Sequence, residues 1–175
     1  MSEFLVVSAL GTDQPGIINK LSKVASEHGC NIQDTRMTVL GGEFALLMLI
    51  SGELPQIEGL ERDLPSTADQ LGLTTQLKRT KPRTNLASAR PYEAQVVALD
   101  NPGIVHEIAR FFSDHAINIE EMKTSAYAAP HTGTPMFSLC MTVNIPSSTK
   151  IKPLKEEFIH FCDDRNLDAT IEPRM

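Results

Sequence analysis

Hydrophobic and polar positions switch between two periods along this chain, and the same succession is met twice. Phe4 to Leu10 is an apolar, valine-containing run of strand length, suited to burial on both faces or nearly so. Past it, Ile17, Ile18, Leu21, Val24 and Ala25 make one apolar stripe at helical spacing, closed by His28-Gly29. A second strand is predicted from Asn31, and Gly41-Gly42 marks a short hairpin into a third, Phe44 to Ile50. Leu54 to Gly72 then carries Leu54, Ile57, Leu60, Leu64, Ala68 and Leu71 near helical period, and Leu73 to Leu77 reads as the fourth strand.

The second passage has the same order. Tyr92 to Leu99 is a strand, and Ile104, Val105, Ile108, Phe111 and Phe112 form a helical stripe ending at His115-Ala116. Strands follow from Asn118 and over Phe137 to Ile145, separated by a longer turn at Ala128 to Thr134 that holds six extra residues. Ser148 to Asn166 is the next helix and Asp168 to Ile171 the last strand. Strand, helix, strand, strand, helix, strand is the split βαβ arrangement, so the expected fold is α+β: two ferredoxin-like modules in tandem, antiparallel sheets packed against helices.

The residues repeat as well as the pattern. Asp13-Gln-Pro15-Gly16-Ile17 matches Asp100-Asn-Pro102-Gly103-Ile104, and Asn31-Ile32 matches Asn118-Ile119, all at an offset of 87. Over Asp13 to Thr38 against Asp100 to Ser125, eight of 26 positions are identical, where chance gives about one or two. The first module is read as 1–80 and the second as 91–175, with 81–90, polar and broken by Pro82, as the linker.

Charge narrows the function classes. A net charge of -6 and a pI near 5.3 oppose a polyanion, so direct nucleic-acid binding is not expected. The one basic cluster, Lys78-Arg79-Thr-Lys81-Pro-Arg83, reads as a solvated tether. Met1 to Gly11 is apolar but contains Glu3, lacks a basic leader and is too short to span a bilayer, so it reads as a strand of a cytoplasmic protein without membrane contact. Cys30, Cys140 and Cys162 are odd in number, lack C-x-x-C spacing and are expected as buried, reduced thiols. No spacing among His28, His106, His115, His131 and His160 suits a metal, and no cofactor is implied.

The two D-x-P-G turns carry the candidate chemistry. Proline suits the first helical position, and amides at a helix start, around Gly16 and Ile17 or Gly103 and Ile104, favour a carboxylate, with glycine letting a ligand approach the backbone. Asp13 or Asp100 could then face an ammonium group, and the amide of Asn31 or Asn118 could bridge both ends of a small zwitterion. Competing readings are helix capping for the aspartates and a turn or left-handed residue for the asparagines. His28 and His115, in last helical turns, read as favourable partners of the helix dipole.

With the D-x-P-G turn after the first strand and Asn-Ile opening the second, each module resembles an ACT domain, an amino-acid-sensing unit. The resemblance spans nearly the whole chain outside the linker. In ACT sites for serine-like ligands, the polar residue two before the proline and the asparagine opening the second strand contact the ligand, which maps onto Asp13, Asn31, Asp100 and Asn118. Some such sites have histidine four before the proline; here Gly11 and Ala98 stand there. A tandem pair also resembles a family of repressors of glycine-cleavage genes that act on a DNA-binding activator rather than on DNA. The resemblance therefore implies a glycine-responsive repressor, not an enzyme, with a protein partner; exposed sheet edges leave a homo-oligomer open.

Two other readings compete: an ACT-type regulatory subunit of a metabolic enzyme, and a small ferredoxin-like hydrolase. An acylphosphatase needs an arginine in a phosphate-cradling loop where this chain has Asp-Gln-Pro-Gly. A deformylase-type enzyme needs a further catalytic domain beyond Met175. No nucleophile-base or paired-carboxylate arrangement recurs at matched positions.

Overall fold

The computed structural model describes residues 2–83 and 88–174, and the chain divides into two compact units at Thr84/Asn85. Unit one runs β1 (Glu3–Thr12), α1 (Ile17–Glu27), β2 (Asn31–Leu40), β3 (Glu43–Gly52), α2 (Leu54–Gln70) and β4 (Thr74–Thr80). Unit two runs β5 (Ala89–Leu99), α3 (Ile104–Asp114), β6 (Asn118–Ala128), β7 (Pro135–Pro146), α4 (Ile151–Asp163) and β8 (Asp168–Pro173). Each sheet is antiparallel, in the order β2-β3-β1-β4 and β6-β7-β5-β8. The doubled βαββαβ reading is thus the observed fold.

Each unit has its own core. Leu5, Val7 and Ala9 of β1 and Phe44, Leu46, Met48 and Ile50 of β3 meet Ile17, Leu21, Ile57, Leu60 and Leu64 from the two helices. Unit two repeats the plan with Ala94, Val96, Leu139, Met141 and Val143 under Ile108, Phe112 and Phe158. The apolar stripes at helical spacing therefore face the sheets, as their period requires.

Four expectations are corrected in detail. The opening strands are buried on one face only: Leu5, Val7 and Ala9 are sealed, whereas Leu10 and, in β5, Val97 and Leu99 are exposed. Helices cover a single side of each sheet, so alternate side chains look outward. Pro15 and Pro102 stand one residue before the cap, which is Gly16 or Gly103, so neither is the first helical residue. The strand β5 begins at Ala89, so Ala89 and Arg90 of the expected linker are paired in a sheet; residues 84–87 lie outside the described residues. Of the cysteines, Cys162 is buried, Cys30 half-buried and Cys140 exposed, because Cys140 falls on the outward side of β7; all three are free thiols.

A matched irregularity follows each Asn-Ile pair. The register of β2 on β3 slips between Ile32 and Asp34, and that of β6 on β7 between Ile119 and Glu121. The displaced residue is tied back each time: Gln33 Nε2 donates to Ser51 Oγ at 2.6 Å, and Asn144 Nδ2 donates to Glu120. These bulges fix which residues of β2 and β6 face outward.

Candidate functional site

The D-x-P-G turns have one geometry. Gly16 has φ 92° and ψ -1°, and Gly103 has φ 99° and ψ -8°, which with the preceding proline is the central pair of a type II turn and is open to glycine at no steric cost. The carbonyl of Gly16 accepts from Lys20 N, and that of Gly103 from Glu107 N, both at 3.0 Å, so the glycine is the helix cap. The turn is fastened through backbone: Asp13 N donates to Gly42 O and Asp100 N to Pro135 O, each at 3.0 Å.

Neither aspartate caps its helix. No side chain hydrogen-bonds to the start of α1 or α3, and Asp13 and Asp100 are exposed. Capping by these carboxylates is thereby overturned, and the first-turn amides keep their partial positive charge for something else. The asparagines are not left-handed either. That conformation belongs to Gly29 (φ 69°) and Ala116 (φ 53°), while Asn31 and Asn118 are the first residues of β2 and β6.

Register decides which of these residues can share a ligand. Thr12, the last residue of β1, lies opposite Glu43, and Asn31 lies opposite Ser51. Eight residues along β3 separate those levels, about 27 Å at roughly 3.4 Å per residue. Leu99 opposite Met136 and Asn118 opposite Asn144 give the same span in unit two. Within one unit, then, the aspartate turn and the asparagine occupy opposite ends of the sheet, and a single small zwitterion cannot touch both.

What unit two does assemble is an open groove of about 580 Å³ beside its turn. Gly103 and Ile104 line it, joined by Glu107, Arg110 and Arg165; Asp100 and Asn118 do not. Glu107 and Arg110 stand on the first turns of α3, while Arg165 follows α4. Glu107 Oε2 accepts from Arg110 at 2.9 Å and from Arg165 Nε at 3.1 Å. The Arg165 guanidinium also donates to Phe161 O at 3.0 Å and lies 3.7 Å over the Phe161 ring. This head group is therefore held in place, with its charge directed beside the uncapped start of α3. Sequence reading missed these three; Glu107 and Arg110 are legible as neighbours of Gly103 in the first turns of α3, but Arg165 comes from the turn after α4, 58 residues from Glu107 in sequence.

Unit one treats its turn differently. Gln14 Nε2 reaches across to Leu71 O at 2.7 Å, tying the turn to the end of α2, whereas Asn101 bonds only locally, to Leu99 O at 3.2 Å. Gly11 is packed against that region as well: a Cβ there would stand 2.6 Å from Gly72 O and 2.9 Å from Leu73 Cδ2. A histidine has no room at this position, which explains the departure from the histidine-containing pattern.

The two histidines tie the helices of each unit together. His28 Nε2 lies 3.0 Å from Asp63 and His115 Nε2 3.2 Å from Glu157. His115 Nδ1 also donates to Phe111 O at 2.7 Å, so both ring nitrogens face acceptors. The carbonyl, with help from Glu157, raises the His115 pKa despite partial burial. Beside His28, the guanidinium of Arg62 draws the Asp63 pKa below its usual range. Among the described residues no cluster of His, Cys, Asp and Glu could hold a metal ion, and no helix is long and apolar enough to cross a membrane.

Two βαββαβ units, each opening on this glycine turn, define a tandem ACT-domain protein; the ACT-domain family profile matches residues 3–78. Over 168 residues, 96% of this chain and 88% of the relative, the sequence is 31% identical to the glycine cleavage system transcriptional repressor of Escherichia coli (strain K12). A crystal structure described as that of a glycine cleavage system transcriptional repressor has 31% identity and a TM-score of 0.75, covering 98% of this chain and 97% of its own. A protein from Galdieria sulphuraria superposes with a TM-score of 0.83 at 25% identity, over 100% of both chains. The chain belongs to the family of the glycine cleavage system transcriptional repressor.

Proposed function

We propose that this protein is a regulator, not an enzyme, that represses glycine-cleavage genes from the cytoplasm by sensing an amino acid, glycine in the first place, and binding a DNA-binding activator rather than DNA. The observation that carries the reading is the uncapped, glycine-turned start of α3 beside a groove lined by Arg165, Arg110 and Glu107. Free amides and a held guanidinium suit a carboxylate, and the Glu107 carboxylate suits an ammonium group. Unit two is the receptor; in unit one Gln14 already spans from the turn to Leu71.

Ligand size sets the affinity. Glycine has about five heavy atoms, and a ceiling near 1.5 kcal/mol per atom limits binding to about 7.5 kcal/mol, so dissociation constants are micromolar or weaker. Regulation then needs different ligand affinities in the partner-bound and free states.

Calorimetric titration with glycine, serine and a panel of amino acids is the test. The expected result is saturable heat with a small amino acid, lost in Arg165→Ala and kept in Asn31→Ala. No heat with any of them overturns the sensor reading. Capture of a DNA-binding protein from lysate, changed by glycine, supports the repressor role, and capture of a metabolic enzyme in its place supports an enzyme-regulating subunit.

A further inference from the structure

At the end of unit two away from its glycine turn, a cavity of about 100 Å³ lies between the start of β5, the connection from β7 to α4 and the first turn of α4. Arg90 pairs with Ile145 and Tyr92 with Val143, so Arg90 and Tyr92 both stand on the helix-covered side of the sheet. Tyr92 and Ile145 form the buried floor, and Arg90, Ser147, Thr149 and Ile151 surround it. The loop is fastened through its backbone: Ser147 N donates to Ser88 O at 2.5 Å and Thr149 N to Pro146 O at 2.9 Å. Its hydroxyls are therefore not spent on holding the loop.

The polar groups here are donors without acceptors. Tyr92 is only 9% exposed, yet its hydroxyl has no hydrogen-bond partner among the described residues, an arrangement a buried hydroxyl normally avoids. No sealed side-chain oxygen among those residues lacks a partner, so the Tyr92 hydroxyl opens onto the cavity. Arg90 has no ion pair, and the hydroxyls of Ser147 and Thr149 no hydrogen bond, among the described residues. No side chain caps α4 at Lys150, which leaves the first-turn amides of Ile151 and Lys152 with their partial positive charge. No carboxylate lines the cavity. Unit one has no such donor set: Glu3 and Leu5 stand at the positions matching Arg90 and Tyr92, and Glu53 with Gln56 closes the start of α2 in a capping box.

We propose that this cavity binds a phosphoryl group, either free phosphate or the head of a phosphomonoester. The Arg90 guanidinium offers two parallel N–H donors to a pair of oxygens, the hydroxyls of Tyr92, Ser147 and Thr149 donate to the others, and the start of α4 favours the negative charge. A carboxylate, with two oxygens and about four lone-pair sites, leaves part of this donor set unused, whereas a phosphoryl group adds further acceptor oxygens. The volume equals that of about three waters, enough for the phosphoryl head, and the rest of a monoester leaves past Arg90, which is exposed. No residue lines both this cavity and the groove beside α3, so the site is separate from the amino-acid receptor proposed above.

The experiment is heteronuclear NMR of the full chain titrated with inorganic phosphate, glycerol phosphate and acetate at constant ionic strength. Saturable shifts of the Ile151 and Lys152 amides are expected with both phosphates, and weaker binding with acetate. Arg90→Gln should weaken phosphate binding about tenfold or more, and Tyr92→Phe, which keeps the ring, about threefold to tenfold. Glycerol phosphate binding tighter than phosphate supports a phosphate ester as the ligand, and phosphate binding as tightly or tighter supports the free ion. No saturable shift at these two amides, acetate binding tighter than either phosphate, or unchanged affinity in both variants overturns the proposal. Should Tyr92→Phe lose its fold by circular dichroism, Arg90→Gln and Thr149→Val decide in its place. Amino-acid heat that persists when phosphate fails leaves the sensor reading standing and removes only this second site.

Discussion

The duplicated helix ends supply a matched pair of perturbations with opposite signs. After α1 the chain turns through Gly29 at φ 69°, and after α3 it turns through Ala116 at φ 53°. A left-handed alanine costs about 1–2 kcal/mol, and the extra freedom of glycine in the unfolded chain takes back about 0.4–1 kcal/mol. Ala116→Gly should therefore stabilise unit two by roughly 0.5–1 kcal/mol. Gly29→Ala loses that amount, and its Cβ would also stand 2.8 Å from Gln56 Nε2. Gln56 Oε1 accepts from Glu53 N at 2.7 Å and closes the capping box of α2, so displacing it costs about 0.5–1 kcal/mol more. The expected total is about 1–2 kcal/mol of destabilisation. Denaturant titration of wild type and both variants reads the midpoints at constant slope, and hydrogen exchange of α1 and α3 amides assigns each change to its unit. A destabilising Ala116→Gly, or two shifts of the same sign, refutes the reasoning.

Three further outcomes follow from the helix pairing and the thiols. The raised His115 pKa means that protonation favours the folded state; the gain is complete below the unfolded value of about 6.5 and is lost as pH rises through the folded pKa. Urea midpoints of wild type and His115→Gln should accordingly converge as pH is raised, and a gap that widens contradicts this. Gly59→Ala, normally worth up to about 1 kcal/mol in a helix, should fail to stabilise, since the new Cβ lies 2.6 Å from His28 Nδ1 and drives the ring off Asp63; a rise in thermal midpoint would show that the ring yields freely. Exposed Cys140 should react with a maleimide first, and Cys162, whose pKa burial pushes up to about 12, only on unfolding; mass spectrometry of timed digests gives the order.

Local chemistry made much of this protein legible in one dimension. Stripes at period 3.6 must face a core, Gly-Gly must turn, and a repeated Asp-x-Pro-Gly must open two helices alike, so the doubled βαββαβ fold and the turns at Gly16 and Gly103 could be placed from residues alone. That Asp13 and Asn31 of one unit lie at opposite ends of the sheet is something no motif encodes: whether two residues meet depends on strand direction, and β1 carries one to the far end of the sheet from where β2 begins. Arg165 escaped notice because α4 brings it to α3 only after both helices pack. Sequence by itself determined the periods, the turns and the duplication, which are set by neighbours a few residues away; tertiary structure alone decided which ends, faces and charges come together, because those are contacts between distant segments.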